Sequence, residues 1–261
     1  MKGIIFDLDG TVYRGEELID GAAETVKRMK ELGNKVVFLT NKPIATRKDY
    51  VEKLNKLGIE VQLEEVVNSG YLTGMYLSNV LKRDEKVLVI GEDALLEEIA
   101  PFNIPLTESE ENAEYVLLSW DRDFTYKKLD KAFQAWKNGA KVIATNPDRT
   151  CPVKGGEVPD CGAIIGALEG ATGEPIHAVI GKPSSFAANS IARDIFKLPP
   201  EQCYMIGDRL ETDIRMAVEN GLQSILVLTG VASKEEAESS KYQPDFILNS
   251  VADLDSVLVG S

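Results

Sequence analysis

The sequence predicts an α/β fold with a doubly wound, Rossmann-like parallel sheet, and three observations lead there. Apolar runs of strand length recur without polar alternation, as in Ile4-Ile5-Phe6, Val36-Val37-Phe38-Leu39 and Met205-Ile206, a pattern of strands buried on both faces. Amphipathic helical stretches separate them. Several runs stop at a polar cluster, and open α/β sheets bind ligands at the carboxyl ends of their strands.

The first strand, Ile4 to Phe6, is followed directly by Asp7 and Asp9, with Gly10 as a turn former. Two carboxylates one residue apart beside a core repel each other and lose water, so the pair requires a cation or a shared proton. From Asp20 to Leu32, Ala22, Val26 and Met29 share one face and Gly33 stops the pattern, which reads as a helix. A strand over Lys35 to Leu39 ends in Thr40-Asn41-Lys42-Pro43. The right-handed crossover of such a βαβ unit places Asp7 and Thr40 on the same sheet edge. Arg47 to Leu57 forms the next helix, and Val66-Val67-Asn68 a short strand that opens a helix through Leu81.

From Lys86 the chain has its own rhythm: a strand to Gly91, a helix near Ala94 to Ala100, an acidic Pro-punctuated segment, and a strand at Tyr115 to Ser119. Thr125 caps a helix with Leu129, Ala132, Phe133 and Trp136 spaced as a core stripe. Lys141 to Thr145 is a further strand, Gly155-Gly156 marks an irregular loop, and a small-residue helix follows over residues 162–171. A strand at Val179-Ile180 ends in Gly181-Lys182-Pro183 and leads into a helix through Ile195. Tyr204 to Ile206 ends in Gly207-Asp208-Arg209-Leu210-Glu211-Thr212-Asp213, a helix runs to Asn220, and strands follow at residues 224–228 and 245–248.

Composition narrows the function classes. The 261 residues carry 44% hydrophobic and 27% charged side chains, typical of a globular protein, with no apolar stretch long enough for a membrane span. No secretory leader pattern opens the chain, so a cytoplasmic location is expected. A net charge of −13 disfavours nucleic acid and anionic membranes as partners, because both would be repelled. A small anion would need a local cation. Cys151, Cys161 and Cys203 lack metal-ligand spacing and read as reduced and structural, and the single histidine, His177, reads as a packed strand residue.

Four strand ends thus carry reactive groups: Asp7 with Asp9, Thr40 with Asn41, Lys182, and Asp208 with Asp213. Together they supply oxygen ligands for Mg²⁺, a hydroxyl and N–H groups for phosphate oxygens, and a cation. Taken singly, Thr40-Asn41 reads equally as a turn, Lys182 as a surface lysine and Asp208 as a loop carboxylate; their shared order and strand context favour the functional reading.

In this order the motifs resemble those of the haloacid dehalogenase superfamily of phosphohydrolases. Asp7-Leu8-Asp9-Gly10-Thr11 is similar to its first motif, Thr40 its second, Lys182 its third and Gly207 to Asp213 its fourth. About 30 residues separate Asp9 from Thr40, but about 140 separate Thr40 from Lys182, so the resemblance implies an α/β cap inserted in the second interval. The expected domains are a core over 1–81 and 178–261 and a cap over 82–177. Asp121 to Tyr126 and Thr145 to Thr150 are similar to the NagD-like branch, which includes nitrophenyl-phosphatase-type enzymes and carries the cap over the active site. Residues 158–163 depart from its pattern, where a Gly is expected near Asp160.

The resemblance implies hydrolysis of a small phosphate ester, with Asp7 as nucleophile and Asp9 as general acid and base. Gly10, Thr40, Asn41 and Lys182 would bind phosphate. Mg²⁺ would be held by Asp7, Asp208 and the backbone carbonyl of Asp9, with Asp213 either a ligand through water or a partner orienting Lys182. In the cap, Asn146, Asp148 and Arg149 are candidate substrate contacts or turn formers. The alternatives are a phosphotransferase or mutase of the same superfamily and a phosphoacceptor signalling module. The module is disfavoured by chain length and by Asp9, and a carbon–halogen hydrolase needs neither Asp9 nor Mg²⁺. The physiological substrate and the oligomeric state are left open.

Overall fold

The computed structural model describes residues 1–153 and 155–258. Its contacts divide the chain into two compact units. The first comprises Met1–Thr40, Lys48–Val67 and the chain from Lys182 onward; the second comprises Asn41–Arg47 and Asn68–Gly181.

The first unit opens with β1 (Gly3–Phe6), a hairpin of β2 (Tyr13–Arg14) and β3 (Glu17–Leu18), α1 (Ala22–Glu31), β4 (Lys35–Thr40), α2 (Arg47–Lys56) and β5 (Val66–Asn68). The second contains α3 (Ser69–Val80), β6 (Val87–Ile90), α4 (Asp93–Ile99), β7 (Tyr115–Leu118), α5 (Tyr126–Lys137), β8 (Lys141–Ala144), β9 (Thr150–Val153), β10 (Gly156–Pro159), α6 (Cys161–Thr172) and β11 (Ala178–Val179). The chain then returns through α7 (Ser185–Asn189), β12 (Cys203–Gly207), α8 (Arg215–Asn220), β13 (Gln223–Val227), α9 (Lys234–Ser239), β14 (Phe246–Leu248) and α10 (Asp255–Leu258).

In the first unit six strands form one sheet in the order β14-β13-β12-β1-β4-β5. β1 runs parallel to both neighbours, with Phe6 opposite Ile206 on β12 and Phe38 on β4. The chain leaves β1 toward β4 on one side and fills β12 on the other only later, so the carboxyl end of β1 is the switch point where such sheets bind ligands. All four residues of β1 are buried, and the Phe6 and Phe38 rings stack at 5.8 Å. Burial on both faces is what the unbroken apolar runs require.

The second unit has its own four-stranded parallel sheet, β11-β8-β7-β6. Val87, Leu117 and Ile143 pack on one face with Leu77 of α3 and Leu95 and Ile99 of α4. Leu88, Val116, Leu118 and Val142 pack on the other with Ala132 and Ala135 of α5 and Ile164 and Leu168 of α6. α3, which the sequence assigns to the first segment, therefore packs within the second unit, because its apolar face is completed by α4.

Other expectations change. The hairpin of β2 and β3 has two residues per strand, too few to show a period. The segment around Gly155-Gly156 is flanked by β9 and β10, an isolated antiparallel ribbon that tolerates Pro152 and Pro159 because it has no central strand. His177 is exposed and lies just outside β11, not packed within a strand. The strand before Lys182 pairs with β8, so it belongs to the second sheet and not to the rim of the first. Cys151, Cys161 and Cys203 are all buried. Among the described residues no helix is long and apolar enough to cross a membrane.

Candidate active site

At the end of β1 the N–H of Asp7 still donates to the Ile206 carbonyl at 2.8 Å, so Asp7 continues the ladder before the chain turns. Asp208 directly follows β12, and Asp213 lies five residues later on a wide helical turn over Leu210–Ile214. Gly207 permits that return, since a Cβ there would lie 2.3 Å from the Asp213 side chain. The Lys182 ammonium meets this group. It donates to Asp7 Oδ1, pairs with Asp213 Oδ1 at 2.7 Å and donates to the Leu39 carbonyl at 3.4 Å. Thr40, the next residue and the last of β4, is buried.

Charge in this cluster does not balance. Asp7, Asp208 and Asp213 each present one oxygen within 4.8 Å of the others, all three residues are buried, Lys182 pairs with Asp7 and Asp213, and the Arg209 charge acts on Asp208. Burial would lower the Lys182 proton affinity, but Asp213 and Asp7 more than reverse this and hold it charged. Burial raises the proton affinity of Asp7, and Asp213 and Asp208 add to it against the pull of Lys182. Asp208 is likewise raised, by burial and by Asp213. Two cations against three buried carboxylates still leave a negative surplus, which disfavours further ionisation.

Asp208 shows what is missing. Its Oδ2 accepts from the Val231 N–H at 2.8 Å, while Oδ1 is buried without a hydrogen-bond partner. Two glycines mould the space around it: a Cβ on Gly230 would lie 1.9 Å from Asp208 Oδ2, and one on Gly10 would lie 2.4 Å away at a φ of 91° that already favours glycine. An unsatisfied buried carboxylate oxygen amid clustered hard oxygens fits a divalent cation. Asp213 pairs through Oδ1 with Lys182 at 2.7 Å and accepts at Oδ2 from the Arg209 N–H at 3.0 Å, contacts that suit the orienting one of its two expected roles.

The loop carrying Asp9 is closed by its own backbone. The N–H groups of Thr11, Val12 and Tyr13 all point to the Leu8 carbonyl, and Gly10 N–H donates to the Tyr13 carbonyl at 2.7 Å. Thr229 Oγ1 donates to the Gly10 carbonyl at 2.6 Å. Asp9 is half-buried, one residue beyond the buried Leu8.

Asn41 and two of the other three candidates join a different network, in the second unit. Asn41 Nδ2 donates to Asp148 Oδ2 at 2.8 Å, and its carbonyl accepts from Ser69 Oγ at 2.6 Å. Asn146, fully buried, donates to Asp148 Oδ2 at 3.0 Å and Asp160 Oδ1 at 3.1 Å while its Oδ1 accepts from Thr145 Oγ1 at 2.8 Å. Asp160 also accepts from the Cys161 N–H at 2.5 Å, capping α6. Burial pushes the Asp160 carboxyl up to about 6, against these donors. Arg149 is exposed. Sequence reasoning did not place Ser69, Asp160, Thr229, Gly230 or Val231 at either cluster; the Thr-Gly step straight after the apolar β13 was the available signal.

Comparison with known proteins gives the family. A family model for haloacid dehalogenase-like hydrolases matches residues 4–104 and a HAD-hydrolase-like model matches 179–254. The sugar-phosphatase AraL of Bacillus subtilis (strain 168) is 38% identical over 252 residues, covering 97% of this chain and 91% of that protein. This chain belongs to the haloacid dehalogenase superfamily. Within that superfamily it is a NagD-like phosphatase. The p-nitrophenyl phosphatase from Archaeoglobus fulgidus superposes with a TM-score of 0.92 at 33% identity, over 98% of this chain and 99% of that one. NagD from E. coli K-12 does so with a TM-score of 0.89 at 30% identity, over 98% and 99%. The two model matches fall on either side of residues 105–178, most of the second unit's sheet and hairpin.

Proposed function

We propose that this haloacid dehalogenase-type phosphatase hydrolyses small phosphate monoesters, of the sugar or nitrophenyl phosphate kind that the relatives' names describe, with Mg²⁺ and through an aspartyl-phosphate on Asp7. One observation carries the reading: Asp7 and Asp213 share the Lys182 ammonium, and the buried Asp208 Oδ1 in the same cluster has no hydrogen-bond partner. Asp7, Asp208 and the backbone carbonyl of Asp9 would hold the cation, which when bound offsets their charge and that of the phosphate.

In the first half-reaction an Asp7 carboxylate oxygen attacks phosphorus in line while the ester P–O bond breaks and Asp9 gives its proton to the departing alcohol. In the second, Asp9 takes a proton from water as that water attacks the phosphorus, the acyl-phosphate P–O bond breaks, and inorganic phosphate leaves. Thr40, with the N–H of Asn41, binds the phosphoryl oxygens, and Lys182 supplies a fixed positive charge beside Asp7; the Gly10 N–H, expected to join them, is spent on the Tyr13 carbonyl. The second unit is the cap that selects substrate. There Arg149 presents an exposed cation, whereas Asn146 and Asp148 shape its loop.

The test is a phosphate-release screen over sugar phosphates, nucleotides and nitrophenyl phosphate with and without Mg²⁺, using Asp7→Asn as the blank. Release that needs no divalent cation, or that persists in Asp7→Asn, sinks the reading.

A further inference from the structure

Lys53, on α2, belongs to none of the motifs and has no part in the chemistry above. Its ammonium nevertheless sits 4.0 Å from the centroid of the Tyr13 ring and 3.2 Å from Glu16 Oε1. Tyr13 begins the first strand of the short hairpin, and Glu16 lies in the connection to the second. A two-residue ribbon does not hold itself in place, so its position is set by what grips it. One side chain grips it at both points.

The hairpin matters because Tyr13 closes the loop that carries Asp9. Its N–H donates to the Leu8 carbonyl at 3.2 Å, its carbonyl accepts from Gly10 N–H at 2.7 Å, and it forms a backbone bridge with Asp9. Where Tyr13 sits, the Asp9 segment follows. From the other side the loop is held by Thr229, through its hydroxyl to Gly10 and through Arg14 Nε, which donates to the Thr229 carbonyl at 2.5 Å. The Tyr13 ring is buried and the Lys53 side chain three-quarters so, whereas Glu16 is exposed. The cation over the ring is therefore the stronger of its two contacts.

We infer that Lys53 is a positioning residue that acts through the face of Tyr13 to hold Asp9 in line with the leaving group. This rests on the phosphatase reading and on Asp9 as its acid. A loosened acid slows the ester whose leaving group needs a proton and spares the one whose leaving group does not, since small misplacements of a catalytic group cost up to about 100-fold.

The experiment compares turnover of an alkyl phosphate, glycerol phosphate, with that of nitrophenyl phosphate in the Mg²⁺-loaded enzyme. In Lys53→Met, kcat for the alkyl ester should fall about tenfold and that for the nitrophenyl ester less than about twofold, with both KM values within about twofold. Lys53→Arg should restore most of the loss. Tyr13→Phe keeps a ring face and should keep the ratio, while Tyr13→Leu should reproduce the Lys53→Met ratio, and the double variant Tyr13→Leu/Lys53→Met should be no worse than Tyr13→Leu. An equal fall on both esters, an unchanged ratio, or additive losses in the double variant overturns the inference while leaving the phosphatase reading intact. Absence of Mg²⁺-dependent release from either ester in the unaltered enzyme overturns both.

Discussion

Two buried polar clusters in this molecule are built on opposite principles. In the first unit Asp7 and Asp213 share one lysine, and an oxygen of the neighbouring Asp208 is left without a hydrogen-bond partner. In the second unit Asn146 sits equally deep, but both its amide hydrogens and its carbonyl oxygen are matched, by Asp148, Asp160 and Thr145. Satisfied networks of this kind fix a loop and cost little, whereas an incomplete one is costly until something completes it. Burial alone therefore does not distinguish the two clusters. Surplus charge does.

The largest test of that contrast is Asp7→Asn. Turnover should fall at least about 10³-fold, while the melting temperature of the metal-free protein holds or rises, because one surplus buried charge is gone. Calorimetry beside steady-state kinetics checks both, and a large loss of stability would place Asp7 with the satisfied kind of network. Next, Mg²⁺ at about 100 times its dissociation constant should add about 2.7 kcal/mol to the unfolding free energy, and Asp208→Asn should lose most of that gain. Denaturant titrations with EDTA or Mg²⁺ read it directly.

In the second unit Asn146→Ala should cost about 1–3 kcal/mol without metal dependence, since it strips donors from two carboxylates. A cost that vanished on adding Mg²⁺ would break the comparison. The last test concerns pH. Asp160 has a folded-state value of about 6, above its ordinary 3.8, so the folded protein keeps that proton longer than the unfolded chain. Its contribution is most favourable below about pH 4 and is lost as pH rises through about 6, by no more than about 3 kcal/mol. Asp160→Asn should flatten that fall relative to the parent protein, with equilibrium unfolding between pH 4 and 7 as the measurement.

Much of the first cluster was legible because its chemistry follows strands that announce themselves. Ile4 to Phe6 and Met205-Ile206 are apolar without alternation, and the aspartates after them fall where parallel strands end. Lys182 was found for a partly mistaken reason: the strand before it pairs with β8, and no periodicity distinguishes a strand of one parallel sheet from a strand of another. Asn41 is read as a phosphate ligand from its place beside Thr40, and nothing local announces that its side chain donates to Asp148, 107 positions away. The glycine at 230 gave no local sign of its purpose, because a missing methyl has meaning only against the carboxylate beside it. Lys53 likewise lies in a helix whose sequence says nothing of Tyr13.

The nesting of one unit inside the other sets an order of assembly during synthesis. Every residue of the second unit has left the ribosome by Gly181, so that unit can close while the first still lacks half its sheet. β1 and β4 are made early, but β12, β13 and β14 arrive last, and β1 keeps one edge open until then. The aspartate at its end waits 175 residues for the lysine that meets it. A chain interrupted after the inserted unit would carry a finished module on an open sheet, the form most exposed to edge-to-edge association.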